Sequence, residues 1–234
     1  EDERATRAQV EKLFQILAQG TKPGDEIFLY WTGHGASVAD TDGDEKDGMD
    51  EVLVTYDASR DDVGRTGVLD DVLRRWVQDL DGRRVIFIAD VCLAGGFAGT
   101  GKGLETKGAE GASLFSELKG EQPPSGTAGG ASKSLFDFFD SEWVQTKDIG
   151  QKETAVLCSS ADKEVSLVRP DGASSVMTGF MADFVSQSGR SVTLKAAYDH
   201  VKAEVPKYVR AQFPGMDQQP QFLDNLSSPV YLRP

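Results

Sequence analysis

Two stretches, Glu26-Ile27-Phe28-Leu29-Tyr30-Trp31 and Arg84-Val85-Ile86-Phe87-Ile88-Ala89, are apolar from their second residue on and no longer than a strand. A strand with one wet face alternates apolar and polar residues; an unbroken apolar run belongs to a strand buried on both faces. Between them lies a segment that opens at Gly67, in which Leu69, Val72, Leu73, Trp76, Val77 and Leu80 line one side of a helix. Strand, amphipathic helix and strand in that order predict parallel pairing with helices packed on the sheet. The fold class expected is therefore α/β, a mostly parallel central sheet with helices on both faces.

The flanking sequence fits this frame. Thr6-Arg7-Ala8-Gln9 has the form of a capping box, and Val10, Leu13, Phe14 and Leu17 follow at helical spacing, so residues 6–19 read as a helix stopped by Gly20 and Pro23-Gly24. Residues 32–51 read as a loop, 52–56 as a short strand and Asp81-Gly82 as a turn. Further on, 154–159 reads as a strand and 175–186 as a helix; a second helix starts near 192 and a last strand spans 229–232. Residues 95–130 hold 11 of the 25 glycines together with Pro123-Pro124, the composition of a linker rather than of a packed element. Leu135, Phe136, Phe138, Phe139 and Trp143 form an apolar island beyond it. The expected organisation is one domain over 1–234, with a linker or insertion at 95–150 between parts at 1–94 and 151–234.

Charge and cysteine content narrow the function classes. The 234 residues carry 25 basic and 38 acidic side chains, a net charge of −13, which disfavours nucleic acid as a partner because phosphate is repelled. No run approaches the ~20 apolar residues of a membrane helix. Glu1-Asp2-Glu3-Arg4 lacks the basic start and apolar middle of a secretion signal. Two cysteines make no disulfide framework, so a reducing, cytoplasmic setting is expected.

Few residues remain that can carry chemistry. His34, in Thr32-Gly33-His34-Gly35, follows the first apolar strand, and Cys92, in Asp90-Val91-Cys92, follows the second. Ligands of parallel sheets bind beyond the carboxyl ends of the strands, so one thiol and one imidazole fall on the edge where a site is expected. A nearby imidazole is what makes a thiol nucleophilic. Spacing alone leaves a buried structural cysteine and a loop histidine as an equal alternative. Cys158, inside an apolar strand, and His200, mid-helix beside Asp199, read as structural. Asp90 stands two residues before Cys92, so in extended chain it shares a face with the cysteine and is placed to bind a cationic group.

Asp40, Asp42, Asp44, Glu45, Asp47, Asp50 and Glu51 crowd one loop. Glu45 stands where a calcium hand needs glycine, so the loop is no EF-hand; a solvated acidic loop and a cation site both remain open. Gly96 to Lys102 nearly spells a phosphate loop, but Gly103 follows where Ser or Thr is needed, which argues against a nucleotide hydrolase.

Tyr30-Trp31-Thr32-Gly33-His34-Gly35, the Asp-Gly-Asp-Glu-x-Asp-Gly-x-Asp-Glu stretch at 42–51 and Asp90-x-Cys92 together resemble the metacaspases, in their prokaryotic form the orthocaspases, among the caspase-like cysteine peptidases of family C14. Beyond the linker, Ser159-Ser160-Ala161-Asp162 and Val165-Ser166-Leu167 through Ser174-Ser175 resemble the strand, substrate loop and helix of the small subunit. The resemblance implies a caspase-like sandwich, with 1–94 as a large-subunit-like part and 151–234 as the small-subunit-like part. It implies Cys92 as nucleophile, His34 as its partner and the N–H groups of Gly35 and Cys92 as an oxyanion hole. Asp90 and Thr32 would line the P1 pocket, selecting Arg or Lys, and residues 163–169, among them Val165, Ser166 and Leu167, would flank the peptide. The family's calcium ligands match Asp50, Asp70 and Asp71; a fourth falls on Gly99. No cofactor other than calcium is implied.

The chain departs from the family pattern in two further places. Leu93-Ala94-Gly95 stands where many metacaspases have His-Ser-Gly, and the family's first strand and following helix do not occur before Glu1. The expected partners are thus a protein substrate with a basic P1 residue and an N-terminal fragment of the same protein, released by a cut after a basic residue. Lys102, Lys107, Lys119 and Lys133 are candidate self-processing sites, since mobile loops are readily nicked. The resemblance implies a monomer. A catalytically silent scaffold that binds calcium or a partner is the alternative reading.

Overall fold

The computed structural model describes residues 2–39, 49–59, 62–92, 153–161, 164–189 and 191–233. The linker at 95–150, its lysines, the apolar island, Gly99 and the acidic positions 40–48 lie outside the described residues.

Chain order is α1 (Arg7–Gly20), β1 (Glu26–Ala39), β2 (Met49–Leu53), α2 (Val63–Thr66), β3 (Val68–Leu69), α3 (Asp70–Gln78), β4 (Arg84–Cys92), β5 (Thr154–Cys158), α4 (Val176–Gln187), β6 (Val192–Thr193), α5 (Leu194–Gln212), β7 (Gln221–Asp224) and β8 (Tyr231–Arg233). The main sheet has the order β3-β2-β1-β4-β5-β7, and β6 pairs with β8 in a separate ribbon. β1, β4 and β5 are parallel; β2, β3 and β7 run antiparallel to their neighbours. The α/β architecture read from the two apolar runs is therefore present, and β5, from beyond the linker, lies directly against β4.

Side-chain parity splits the strands between two cores. Ile27, Val85, Phe87, Ala89, Val91, Val156 and Cys158 face α1 and α3, meeting Val10, Phe14, Leu73, Trp76 and Val77. The Phe14 and Trp76 rings lie 5.3 Å apart. Ile86, Ile88, Ala155 and Leu157 face α4 and α5, meeting Val176, Met177, Leu194, Val201 and Val205. Burying each such aliphatic side chain is worth about 1.5–3 kcal/mol, so both helical layers are held by the same strands.

Local signals act as the sequence suggests. Thr6 caps α1 by accepting from the Gln9 N–H at 3.3 Å. Gly82, at φ +77°, makes the turn into β4, a conformation that a side chain would strain.

Other boundaries differ. β1 continues through Thr32–Gly35 to Ala39, where the residue pattern suggests a loop, because its far half finds a partner: Gly35↔Leu53 through Ala39↔Met49 in β2. Backbone hydrogen bonds sustain this half, and they leave no mark in hydrophobicity. For the same reason β2 covers 49–53 rather than 52–56. α3 starts at Asp70 rather than Gly67, since Val68 and Leu69 pair with Leu53 and Val52. β7 is short and half-exposed, and it exists by pairing with β5.

Candidate active site

The parallel ladder between β1 and β4 sets Thr32 beside Asp90 and His34 beside Cys92. This is the carboxyl end of β4 and of the half of β1 that runs parallel to it, the place where a parallel sheet offers a site. His34 and Cys92 form the last pair of that ladder, and at the next residue, Gly35, β1 passes from β4 to β2. The histidine, the cysteine and the glycine are thus brought together by register alone.

Asp90 is fully buried. Its Oδ1 accepts from the Ser166 hydroxyl at 2.9 Å, and its Oδ2 accepts from the hydroxyls of Ser175 and Thr178. Ser175 is the N-cap of α4 and also accepts from the Thr178 N–H at 3.2 Å. The carboxylate therefore lies at the amino end of a helix, whose dipole favours negative charge. Thr178 spends its proton on Asp90, so the Tyr30 hydroxyl, 2.9 Å from the Thr178 oxygen, must donate to it. Burial first, and with it the negative charge of Asp90, holds the Tyr30 phenol above its usual pKa.

The remaining expected site residues fall in two places. Val165, Ser166 and Leu167 lead into a hairpin in which Val168 bridges to Ser175. Ser166 and Leu167 are fully buried, and Leu167 sits in the second core with its N–H donating to the Gln218 side chain and its carbonyl accepting from the Val176 N–H, so of the three only Val165 is partly exposed. Asp50 lies in β2, and Asp70 and Asp71 form the first turn of α3, where Asp71 pairs with Arg74. Among the described residues no group of three or more acids, histidines or cysteines is placed to hold a metal ion. Cys158 is buried in the first core, and His200 stacks on Phe184 with ring centroids 4.5 Å apart, both in structural positions.

Sequence reasoning did not single out Tyr30, Thr178 or Gln218. Tyr30 sits in an apolar run that reads as buried throughout, yet it is 50% exposed and its hydroxyl serves the site. Ser175 and Thr178 carry the one available signal, a hydroxyl cap before an apolar helix. Gln218 carries none.

Comparison with known proteins bears on the fold and the family. The family profile for the caspase domain matches residues 1–231. Among curated proteins, metacaspase-1 of Pyricularia oryzae is 36% identical over 92 residues, covering 38% of this chain and 22% of that protein. Metacaspase-1 of Saccharomyces cerevisiae is 33% identical over 90 residues, covering 38% and 20%. The matched stretch thus spans about a fifth of these relatives' length. Among solved structures, a protein of Geobacter sulfurreducens superposes with a TM-score of 0.57 at 21% identity, covering 97% of this chain and 76% of the other. Caspase-1 of Spodoptera frugiperda gives 0.51 at 13% identity, covering 95% and 70%. The two structures share the fold, the metacaspases are similar over 38% of the chain, and with the family profile running almost end to end, the chain belongs to the caspase domain family.

Proposed function

We propose that this chain is a cysteine endopeptidase that cleaves after Arg or Lys. The observation that carries this is the ladder pair His34↔Cys92, with Thr32↔Asp90 two residues behind it. In the proposed reaction His34 takes the thiol proton of Cys92, and the sulfur attacks the P1 carbonyl carbon. Negative charge collects on the carbonyl oxygen, where the N–H groups of Gly35 and Cys92 stabilise it. The C–N bond breaks as His34 returns the proton to the leaving amine, giving a thioester. Water then adds, His34 takes its proton, and the acid departs with the thiol restored.

Basic specificity rests on Asp90. A carboxylate in a desolvated place suits a guanidinium or ammonium and repels an acidic P1 side chain. Segment 165–167 lies beside Asp90 through Ser166 and flanks the peptide in this reading. The test is a fluorogenic panel with P1 Arg, Lys, Asp, Asn and Leu, with and without calcium, run on the chain and on Cys92→Ala. The expected result is turnover of Arg and Lys alone, lost in the variant. Turnover of the other residues overturns the pocket assignment, and turnover that survives in Cys92→Ala overturns the nucleophile. Silence throughout leaves a missing N-terminal fragment or a scaffold that does not cleave, and adding that fragment back separates the two. A rise with calcium gives Asp50, Asp70 and Asp71 a ligand role that their placement alone does not.

The partner proposal rests on the edge of β1. Over residues 26–33, β1 pairs with β4 on one side, and among the described residues no strand pairs with the other. Phe28 and Tyr30 on this stretch are 46% and 50% exposed. An added strand would satisfy the backbone and cover these rings, and an N-terminal fragment of the same protein is our candidate. Terminal sequencing of the longer protein, with and without Cys92→Ala, shows whether the chain releases that fragment itself; an unchanged cut in the variant excludes self-cleavage there. Cuts after Lys102, Lys107, Lys119 or Lys133 would be read in the same experiment. We further propose a monomer acting in the cytoplasm; among the described residues no helix is long and apolar enough to cross a membrane.

A further inference from the structure

We propose that Gln218 is a positioning residue that holds segment 165–167 against the end of β5 and thereby fixes the pocket acid Asp90; this rests on the peptidase reading above. Gln218 is fully buried in the connection between α5 and β7. Its Oε1 accepts from the Leu167 N–H at 3.1 Å, and its Nε2 donates to the Ser159 carbonyl at 2.9 Å. An amide side chain carries an acceptor and a donor on separate atoms, which suits a bridge between an N–H and a C=O.

Both ends of the bridge lead back to β4. The Ser159 N–H donates to the Ala89 carbonyl at 3.0 Å, and the Ser159 hydroxyl donates to the Val91 carbonyl at 3.1 Å, one residue before Cys92. At the other end, Ser166, next to Leu167, donates to Asp90 at 2.9 Å. The result is a closed, buried circuit: Val91, Ser159, Gln218, Leu167, Ser166, Asp90. The same connection grips the segment a second time, because Glu164 Oε2 accepts from the N–H groups of Gln219 at 2.6 Å and Ala161 at 3.1 Å. Gln218 touches neither His34 nor Cys92 in this circuit. It governs how the substrate segment and the pocket acid sit relative to the strand that bears the nucleophile, so its loss acts on substrate binding rather than on the thiol.

The test compares the chain with Gln218→Met, which keeps the length and removes both polar groups, and with Gln218→Glu, which keeps the acceptor for Leu167. Three readouts are taken: kcat and KM on a P1-Arg substrate, the rate of Cys92 alkylation by iodoacetamide, and hydrogen exchange by mass spectrometry. For Gln218→Met, KM is expected to rise ~10-fold or more with kcat within ~3-fold. Alkylation should be unchanged and exchange faster only over 164–168. Gln218→Glu, whose second oxygen faces the Ser159 carbonyl, should raise KM as well, and it carries the test if Gln218→Met does not fold. An unchanged KM in the folded variants overturns the proposal. So does a joint change in kcat, alkylation and exchange across β4 and β5, which marks general loosening. If the parent chain turns nothing over, the peptidase reading falls on its own and exchange decides: acceleration confined to 164–168 supports the proposal, and none, or acceleration everywhere, overturns it.

Discussion

The two faces of the central sheet are built from alternate residues of the same strands, and they end differently. On the side of α1 and α3, β4 shows Val85, Phe87, Ala89 and Val91, apolar to the last residue. On the side of α4 and α5 it shows Ile86 and Ile88, and then Asp90, a buried carboxylate ringed by three hydroxyls. One face is core from end to end; the other is core for most of its length and polar at the tip. A site needs no separate scaffold here. It needs strands that run a few residues past their apolar stretch, with the polar residues on one parity only.

The sharpest way to test this contrast is through the two cysteines. Cys92→Ala should lower turnover of a P1-Arg substrate by ~10⁴-fold, whereas Cys158→Ala, on the wholly apolar face, should leave it within ~2-fold and cost roughly 1 kcal/mol in urea unfolding. Comparable losses in the two variants would erase the distinction between the faces.

The next largest effect concerns charge at the polar tip. Asp90→Asn keeps a carbonyl acceptor for the surrounding hydroxyls but loses the negative charge, so kcat/KM for P1-Arg should drop ~100-fold with the fold intact by circular dichroism. Retained Arg turnover would remove Asp90 from the pocket.

Core truncation should be blind to the faces. Val156 and Leu157 are adjacent and fully buried, one in each core. Leu157→Ala should cost ~2–5 kcal/mol of unfolding free energy and Val156→Ala a little less, neither altering P1 preference. A change in preference from Leu157→Ala alone would show that the polar tip leans on the core beneath it.

The smallest effect is a pH slope. The folded pKa of Tyr30 lies above its unfolded value, so between the two the native state binds more protons than the unfolded chain. Stability from this group is therefore complete below pH ~10 and is lost as pH rises through the folded pKa. Tyr30→Phe should flatten the decline in urea midpoint above about pH 10, and an unchanged slope would show that burial and the charge of Asp90 do not hold the phenol above its ordinary pKa.

What the sequence disclosed followed from side-chain chemistry. The two apolar runs announced the parallel pair, and because both carry their chemical residues just past the apolar end, His34 and Cys92 were legible as neighbours before any coordinates. The capping hydroxyl of Thr6 announced α1. What stayed hidden is held by backbone pairing or by distant contacts. The far half of β1 and all of β7 exist because a partner strand lies beside them, which no local pattern encodes. Gln218 stands 51 residues from Leu167 and 59 from Ser159, and only the fold brings them together. Ser166 stood in the segment that the resemblance assigns to a substrate loop, but its bond to Asp90, 76 residues away, left no mark in the sequence.

The pairing of β4 with β5 has one further consequence. The ladder runs from Val85↔Thr154 to Ala89↔Cys158, and each core draws residues from both sides of the connection between these strands. A break anywhere in that connection would therefore yield two complementing fragments, neither with a complete core of its own. The covalent link chiefly raises the effective concentration of one fragment for the other. Loop-closure cost grows only with the logarithm of length, so the fold is nearly indifferent to how long that connection is. In this architecture chain continuity is a convenience of assembly, and the strand pairing and shared cores carry the integrity of the folded state.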